Sequence, residues 1–241
     1  MNTHLPHART IRAQLLTAMK TGEYAHSERL PRESVLAVKL GISRTQLRDV
    51  LASLEREGFI TRRHGVGTII NRHVLGVQTR MDIEIEFLDM IRQSGFTPAV
   101  ASIQTSDGAA GEKTAAQLRI PLGTPVLRIA RLCTADGRPA VYCEDVVEKS
   151  QVREGYTLED LERPIFHFLQ QFCDLYPYLD LTDLRAVPAD ARLAEIFQIP
   201  IGSPLLQMDE VDYDIDGKPV FCSTEYFADG IFRHTVMRKK L

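Results

Sequence analysis

The sequence predicts an α+β chain of two domains: an N-terminal helical domain closed by a glycine-tipped β-hairpin, then a larger domain with a mainly antiparallel sheet and flanking helices. Three observations predict it. Apolar residues recur at helical spacing in three short runs before Gly58, and two strand-like runs follow. Charge is divided unevenly, since residues 1–76 carry 12 Lys and Arg against 6 Asp and Glu, or +6, while the whole chain stands at −3 and the remainder at −9. Such asymmetry points to one domain that faces a polyanion and one that does not. Finally, IPLGTPVLRIARLCTADGRPAVYC, from Ile120 to Cys143, is echoed by IPIGSPLLQMDEVDYDIDGKPVFC, from Ile199 to Cys222. At 241 residues the chain suits two domains, expected at 1–71 and 80–241 with a linker at 72–79.

Composition excludes several classes. Hydrophobic content of 44% and charged content of 25% are ordinary for a globular chain. No apolar run approaches the ~20 residues of a membrane span. The opening MNTHLPHART lacks the apolar core and cleavage site of a secretory signal, so a cytoplasmic protein is expected, with no membrane partner. Cys133, Cys143, Cys173 and Cys222 form no Cys-x-x-Cys pair and read as reduced, buried thiols.

Taken in order, Ile11, Leu15, Leu16, Ala18 and Met19 give a helix over Ala8 to Thr21, ended near Gly22. Pro31 opens a second helix with Val35, Leu36, Val38 and Leu40 as its buried positions, and Gly41 ends it. Ser43 then caps a third. Gln46, three residues on, completes a capping box, and Leu47, Val50, Leu51 and Leu54 make its apolar stripe up to Gly58. Arg44, Thr45, Gln46 and Arg48 crowd the opposite side of its first two turns, where a helix N-terminus favours phosphate. Phe59 to Arg63 and Thr68 to Ile70 read as strands around His64-Gly65-Val66-Gly67, a hairpin wing.

The run LPRESVLAVKLGISRTQLRDVLASLEREGFITRRHGVGTII, Leu30 to Ile70, resembles the winged helix-turn-helix of the GntR family of bacterial transcription regulators. The resemblance implies a double-stranded DNA operator as partner, with Arg44 and Arg48 contacting DNA from the recognition helix, Thr45 and Gln46 on its exposed face and Gly65 near the minor groove. Ser43 holds the helix start, and His64 either contacts phosphate or fills the turn. Many members carry Arg at the position of Ser34; here Arg32 lies two residues earlier, so that contact is lost or displaced. Arg29, Lys39 and Arg56 read as surface charge.

Beyond the polar stretch Asn71 to Thr79, Ile83, Ile85, Phe87, Leu88 and Ile91 suggest an amphipathic helix ending by Gly95, with Asp82, Glu84, Glu86 and Asp89 as its solvated face. Each repeat copy is a strand, an Asp-Gly turn and a strand, preceded by a helical segment at Glu112 to Leu118 or Asp190 to Phe197, so the two hairpins form one pseudo-symmetric sheet. A further helix runs from Leu158 to Cys173. From Arg80 onward these blocks resemble the UTRA effector domain of the HutC subfamily, whose fold is like chorismate lyase. That likeness raises an enzyme alternative, but a fold is not a function. The resemblance implies a small-molecule effector held at Arg131, with Arg80, Glu144, His167, Glu225 and Tyr226 as further candidates. Arg131 is equally placed to pair with Glu144 or Asp82; Glu225 and Tyr226, adjacent on a strand, point to opposite faces. Cys133 and Pro164-Ile165-Phe166 stand where sugar-phosphate sensors keep basic and hydroxyl groups, so an effector less anionic and more apolar than a sugar phosphate is expected.

No catalytic triad, nucleotide loop, cofactor or metal spacing emerges. Asp212, Asp214, Asp216 and Gly217 imitate an EF-hand start, but position twelve is Ser223 and Pro219 interrupts it, so a hairpin turn is expected. His4 and His7 lie in the N-terminal stretch and are given no role. The sequence reads as a homodimeric, ligand-released repressor whose two recognition helices read half-sites of a palindrome. Effector binding would favour a dimer geometry in which the winged domains no longer span adjacent half-sites.

Overall fold

The first and third apolar stripes of the N-terminal region become buried helix faces in the computed structural model, which describes residues 8–77 and 79–238. His4 and His7 lie outside the described residues. Two units divide the chain at residues 77 and 78.

In the first unit, α1 (Ala8–Lys20) buries Ile11, Leu15 and Met19. α2 (Glu33–Leu40) starts later than expected, because Arg32 is its extended N-cap and Pro31 precedes it. Only Leu36 and Ala37 of α2 are fully buried; Val35 and Val38 are 56% and 82% exposed, since eight residues present a single face to the core. Gly41, at φ 66°, reverses the chain between α2 and α3 (Arg44–Arg56), a conformation that strains any residue with a Cβ. Leu47, Val50, Leu51 and Leu54 of α3 are all buried. β1 (Ile60–Arg63) and β2 (Gly67–Ile70) pair antiparallel as the wing. Residues 28–30 add to its edge: Ile70 N donates to Glu28 O at 2.8 Å and Leu30 N to Thr68 O at 2.9 Å. Where the sequence reads as linker, α4 (Arg72–Leu75) forms one helical turn, and the Arg72 guanidinium donates to the carbonyls of Met19, Tyr24 and Ser27.

In the second unit, β3 (Thr79–Arg80) leads through a turn at residues 81–83 and three irregular residues into α5 (Phe87–Gln93). The expected helix therefore loses its first turn. Ile83, Ile85 and Phe87 alternate with Glu84 and Glu86, which is the period of extended chain rather than helix. Next come β4 (Pro98–Ala109), α6 (Glu112–Leu118), β5 (Pro125–Ala135) and β6 (Arg138–Glu148). The expected helix from Leu158 breaks into α7 (Leu158–Glu162) and α8 (Ile165–Phe168), which runs on into a π turn through Cys173. Pro164 disfavours helical geometry at Arg163, whose ψ is 167°. Then follow β7 (Leu179–Pro188), α9 (Ala191–Phe197), β8 (Pro204–Tyr213), β9 (Pro219–Ala228) and β10 (His234–Thr235), the last pairing parallel with β3.

Six strands form one sheet in the order β4-β5-β6-β9-β8-β7, every neighbouring pair antiparallel. The order reads the same from both ends. β4-α6-β5-β6 and β7-α9-β8-β9 are the two repeats, which meet at β6 and β9, so the duplication extends to edge strands and helices beyond the visible sequence echo. One sheet face packs on α6 and α9 through Leu118, Val126 and Cys222 and through Leu193, Phe197 and Leu205. The other packs on α5 through Ile91, Val141 and Phe227, and on α7 and α8 through Leu127, Leu161 and Phe168. The four cysteines are buried and free.

Candidate functional site

On the first unit, Ser43 and Gln46 form the expected capping box: Gln46 N donates to Ser43 Oγ and Ser43 N to Gln46 Oε1, both at 3.1 Å. The side-chain oxygen of Gln46 is thus turned back onto the cap. Arg44, Thr45 and Arg48 are exposed on the other side of α3. Arg48 Nε donates to Glu33 Oε2 at 3.0 Å, an ion pair that fixes its direction from α2. Arg32 and Ser34 are exposed at the start of α2, and His64 and Gly65 at the tip of the wing, where Gly65 has φ 76°. Two arginines brace the wing. Arg62 Nε donates to Glu55 Oε2 of α3 at 2.7 Å, and Arg29, which the sequence reads as plain surface charge, donates to Val66 O at 3.2 Å. Lys39 is ion-paired with Glu23.

On the second unit, a cavity of about 360 Å³ opens on the sheet face that carries α5 and α8. Nine consecutive residues, Thr79 to Phe87, form one wall. The strand register explains its polar floor. Arg131, Cys143, Glu225 and Met208 stand opposite one another across four strands, and Asp145, Ser223, Glu210 and Thr182 form the next row on the same face. These rows separate the two apolar clusters on that face.

Arg131 is fully engaged in this layer. It donates from Nη2 and Nε to Asp145 Oδ2 at 2.9 and 3.2 Å and from Nη1 to Arg163 O at 3.4 Å, while Ser223 Oγ donates to Asp145 Oδ1 at 2.9 Å. The ion-pair partner is thus Asp145, not Glu144 or Asp82, because residues 143 and 145 share the Arg131 face and Glu144 points away. Arg80 donates from Nε to Asp82 Oδ1 at 3.0 Å, and that hydrogen bond holds the Asp82 carboxyl below its usual range.

Of the expected effector residues, Arg80, Arg131 and Glu225 line the cavity. Glu144, Tyr226 and His167 do not. Glu144 accepts from Arg192 Nη1 at 2.9 Å on the opposite sheet face, and Tyr226 stacks on Tyr142 there, ring centroids 6.4 Å apart. The period-two alternation that separates Glu225 from Tyr226 puts them there. His167 lies on α8 with Nδ1 buried and without a hydrogen-bond partner.

Sequence reasoning missed most of the carboxylates. Glu84 and Glu86, read as a solvated helix face, line the cavity with Asp180 and Glu210. Glu84 is exposed at the cavity mouth, where partial desolvation and then neighbouring carboxylates push it up to about 8; burial lifts the half-buried Glu86 to about 7, against the pull of Arg131. Glu225 is 7% exposed and rises well above its usual range through burial and then the charges of Glu210 and Asp145. Glu210 and Asp212 are both raised, chiefly by burial and then by the charges of neighbouring carboxylates. Asp214 of the EF-hand look-alike instead closes a hairpin turn, its Oδ1 accepting from the backbone of Asp216 and Lys218. His234 of β10 also lines the cavity. Both its ring nitrogens are buried without partners, and burial lowers its pKa. The Glu84 and Glu86 signal was the Ile-Glu-Ile-Glu alternation, whereas nothing local marks His234.

Comparison with known proteins adds two family matches. Residues 7–70 match the bacterial regulatory proteins of the gntR family, and residues 93–233 match the UTRA domain. A relative from Rhizobium meliloti (strain 1021), the HTH-type transcriptional regulator RB1450, uncharacterized by its name, is 27% identical over 92% of this chain and 91% of its own. Among solved structures, the possible transcriptional regulator YydK from Bacillus subtilis is similar over 98% of this chain and 100% of that one, with TM-score 0.76 and 18% identity. PhnF from Mycobacterium smegmatis covers 95% and 99%, with TM-score 0.60 and 20% identity. Among the described residues no helix is long and apolar enough to cross a membrane.

Proposed function

The chain belongs to the gntR family of bacterial regulatory proteins, a transcription regulator with a GntR DNA-binding domain and a UTRA effector-binding domain, and on that premise we propose a homodimeric cytoplasmic repressor that a small molecule releases from a palindromic operator. Arg44, Thr45 and Arg48, with His64 and Gly65 of the wing, make the DNA contacts, and Arg32 adds a backbone contact near α2. The effector sits in the cavity beside Arg131 and Glu225. One observation carries the coupling: the wall formed by Thr79 to Phe87 is the stretch of chain that directly follows the DNA-binding unit. A ligand that orders this wall differently in two states shifts their populations by its differential affinity and no more.

The second unit is a sensor and not a chorismate-lyase-like enzyme in this reading. Selection of a DNA site from a random duplex pool by the full chain, followed by titration at several salt concentrations, tests the first half. A repressor gives a selected palindrome and an affinity that falls steeply with salt. Recovery of no preferred sequence would sink it.

A further inference from the structure

Seven carboxyl groups and two arginines line the cavity of the second unit. Arg80 pairs with Asp82 and Arg131 with Asp145, so both cations are already neutralised inside the protein. Glu84, Glu86, Asp180, Glu210 and Glu225 remain without an ion pair among the described residues. Thr182 Oγ1 lies 2.9 and 3.1 Å from carboxyl oxygens of Asp180 and Glu210 and has one hydrogen to share between them, but Glu225, nine-tenths buried at the centre of the floor, accepts no hydrogen bond from the described residues. Thr79 Oγ1 at the edge of the same cavity is also buried without a partner. An uncompensated buried carboxylate is costly enough that it is normally paired, hydrogen-bonded or protonated.

We infer that the cavity binds an organic cation, its ammonium or guanidinium group seated among Glu225, Glu210 and Glu86 and its apolar body against Phe87, Phe166 and Phe227. This deepens the reading of the cavity as the effector site and rests on it. An anion would gain no charge partner from these carboxyls, protonated or not, and would have to displace Asp82 or Asp145 to reach an arginine. The aromatic rings favour an organic cation over a metal ion, and no group of three or more His, Cys, Asp or Glu among the described residues has the arrangement of a metal site. Without the cation the raised carboxyls hold protons; Glu84, at the open side of the cavity, and Glu86 both titrate well above ordinary glutamates. Arg131, Arg80, Asp82, Asp145, Asp180, Asp212 and neutral His234 are the other charged or titratable groups around them. Binding of the cation therefore expels protons and tightens as pH rises.

The test uses the full chain with 2-phenylethylamine and agmatine as cationic probes, 2-phenylethanol and phenylacetate as matched neutral and anionic controls, and magnesium, zinc and inorganic phosphate as further arms. Thermal shift and calorimetry follow binding between pH 6 and pH 8. At least one of the cations should stabilise the protein while the alcohol and acid do not, with apparent affinity rising by up to about tenfold per pH unit for each proton released. Glu225→Gln should weaken that cation at least about tenfold, as one lost charge-assisted contact requires. Glu86→Gln serves the same purpose if the first variant does not fold. The inference is overturned if phenylacetate, phosphate or a metal ion alone binds in preference, if neither cation shifts melting at about 10 mM, or if a folded Gln variant keeps wild-type affinity. A parallel measurement of affinity for the selected DNA separates the two readings. Release by an anion would leave the regulator standing and remove the cation, whereas a cation that binds without altering DNA affinity would leave the ligand class standing and remove the cavity as effector site.

Discussion

At the scale of single residues, Arg131 and Asp145 show how little of a side chain's role lies in its own identity. Both are almost fully buried, and each is the other's principal charge partner. Arg131→Met should therefore destabilise the second unit by about 3–5 kcal/mol, since it leaves Asp145 buried and unpaired. Adding Asp145→Asn should return much of that loss, and chemical denaturation of the single and double variants reads both; equal stability of all three proteins would contradict the pairing. Arg44 and Arg48 belong to the other unit and the other regime, where exposure makes their internal contacts weak and their contacts with DNA decisive. Arg44→Ala or Arg48→Ala should each cost about 1–3 kcal/mol of operator affinity, and loss of a phosphate contact should also lower the salt slope by about one. Filter binding or anisotropy across a salt series checks it, with circular dichroism to show that folding is intact. Glu33→Gln should weaken binding less than Arg48→Ala does, because Glu33 only aims Arg48.

At the scale of elements, α3 depends on its first turn. Ser43→Ala removes the acceptor for Gln46 N and should cost about 1 kcal/mol of stability, whereas Ser43→Gly should cost only a few tenths. Thermal melts of the two variants distinguish a cap from a generic contact at Ser43. The elements that sequence reasoning placed well are those with a strong local signal: α1 and α3 by their stripes, the wing by its glycines, and the paired hairpins by their echo. Those it misplaced carried competing signals. Ile83 to Phe87 alternates like extended chain, yet its apolar content invites a helix. β4 and β7 went unread because, as sheet edges, most of their residues are exposed, so neither a continuous apolar run nor clean alternation marks them.

At the scale of the whole molecule, the carboxyls of the cavity tie stability to pH. Glu84 and Glu86 titrate near 8 and 7 when folded and at ordinary glutamate values when unfolded, so between about pH 5 and pH 8 the folded chain holds more protons than the unfolded one. Stability contributed by these groups is then present at the acid end and is lost as pH rises through the folded values. His234 works in the opposite sense below its ordinary value, because burial keeps it neutral, and partly offsets the trend there. Melting temperature should fall from pH 6.5 to pH 8. Glu225→Gln, which removes a buried carboxyl, should be more stable than wild type at pH 8, while a wild-type melting temperature that climbs over the same range would contradict the account.

The sequence by itself determined the two-unit plan, the capped recognition helix with its wing, and the duplication behind the sheet, because each follows from periods and turn residues within a few tens of positions. Tertiary structure alone decided the chemistry of the cavity. Glu86, Arg131, Asp145, Glu210, Glu225 and His234 come from a connecting segment, five different strands and both ends of the second unit, and whether a carboxylate there is solvated, paired or protonated depends on which face the register turns inward. Local pattern assigns a face within each strand. Only the assembled sheet brings those faces together and removes the water that would have made their charges unremarked.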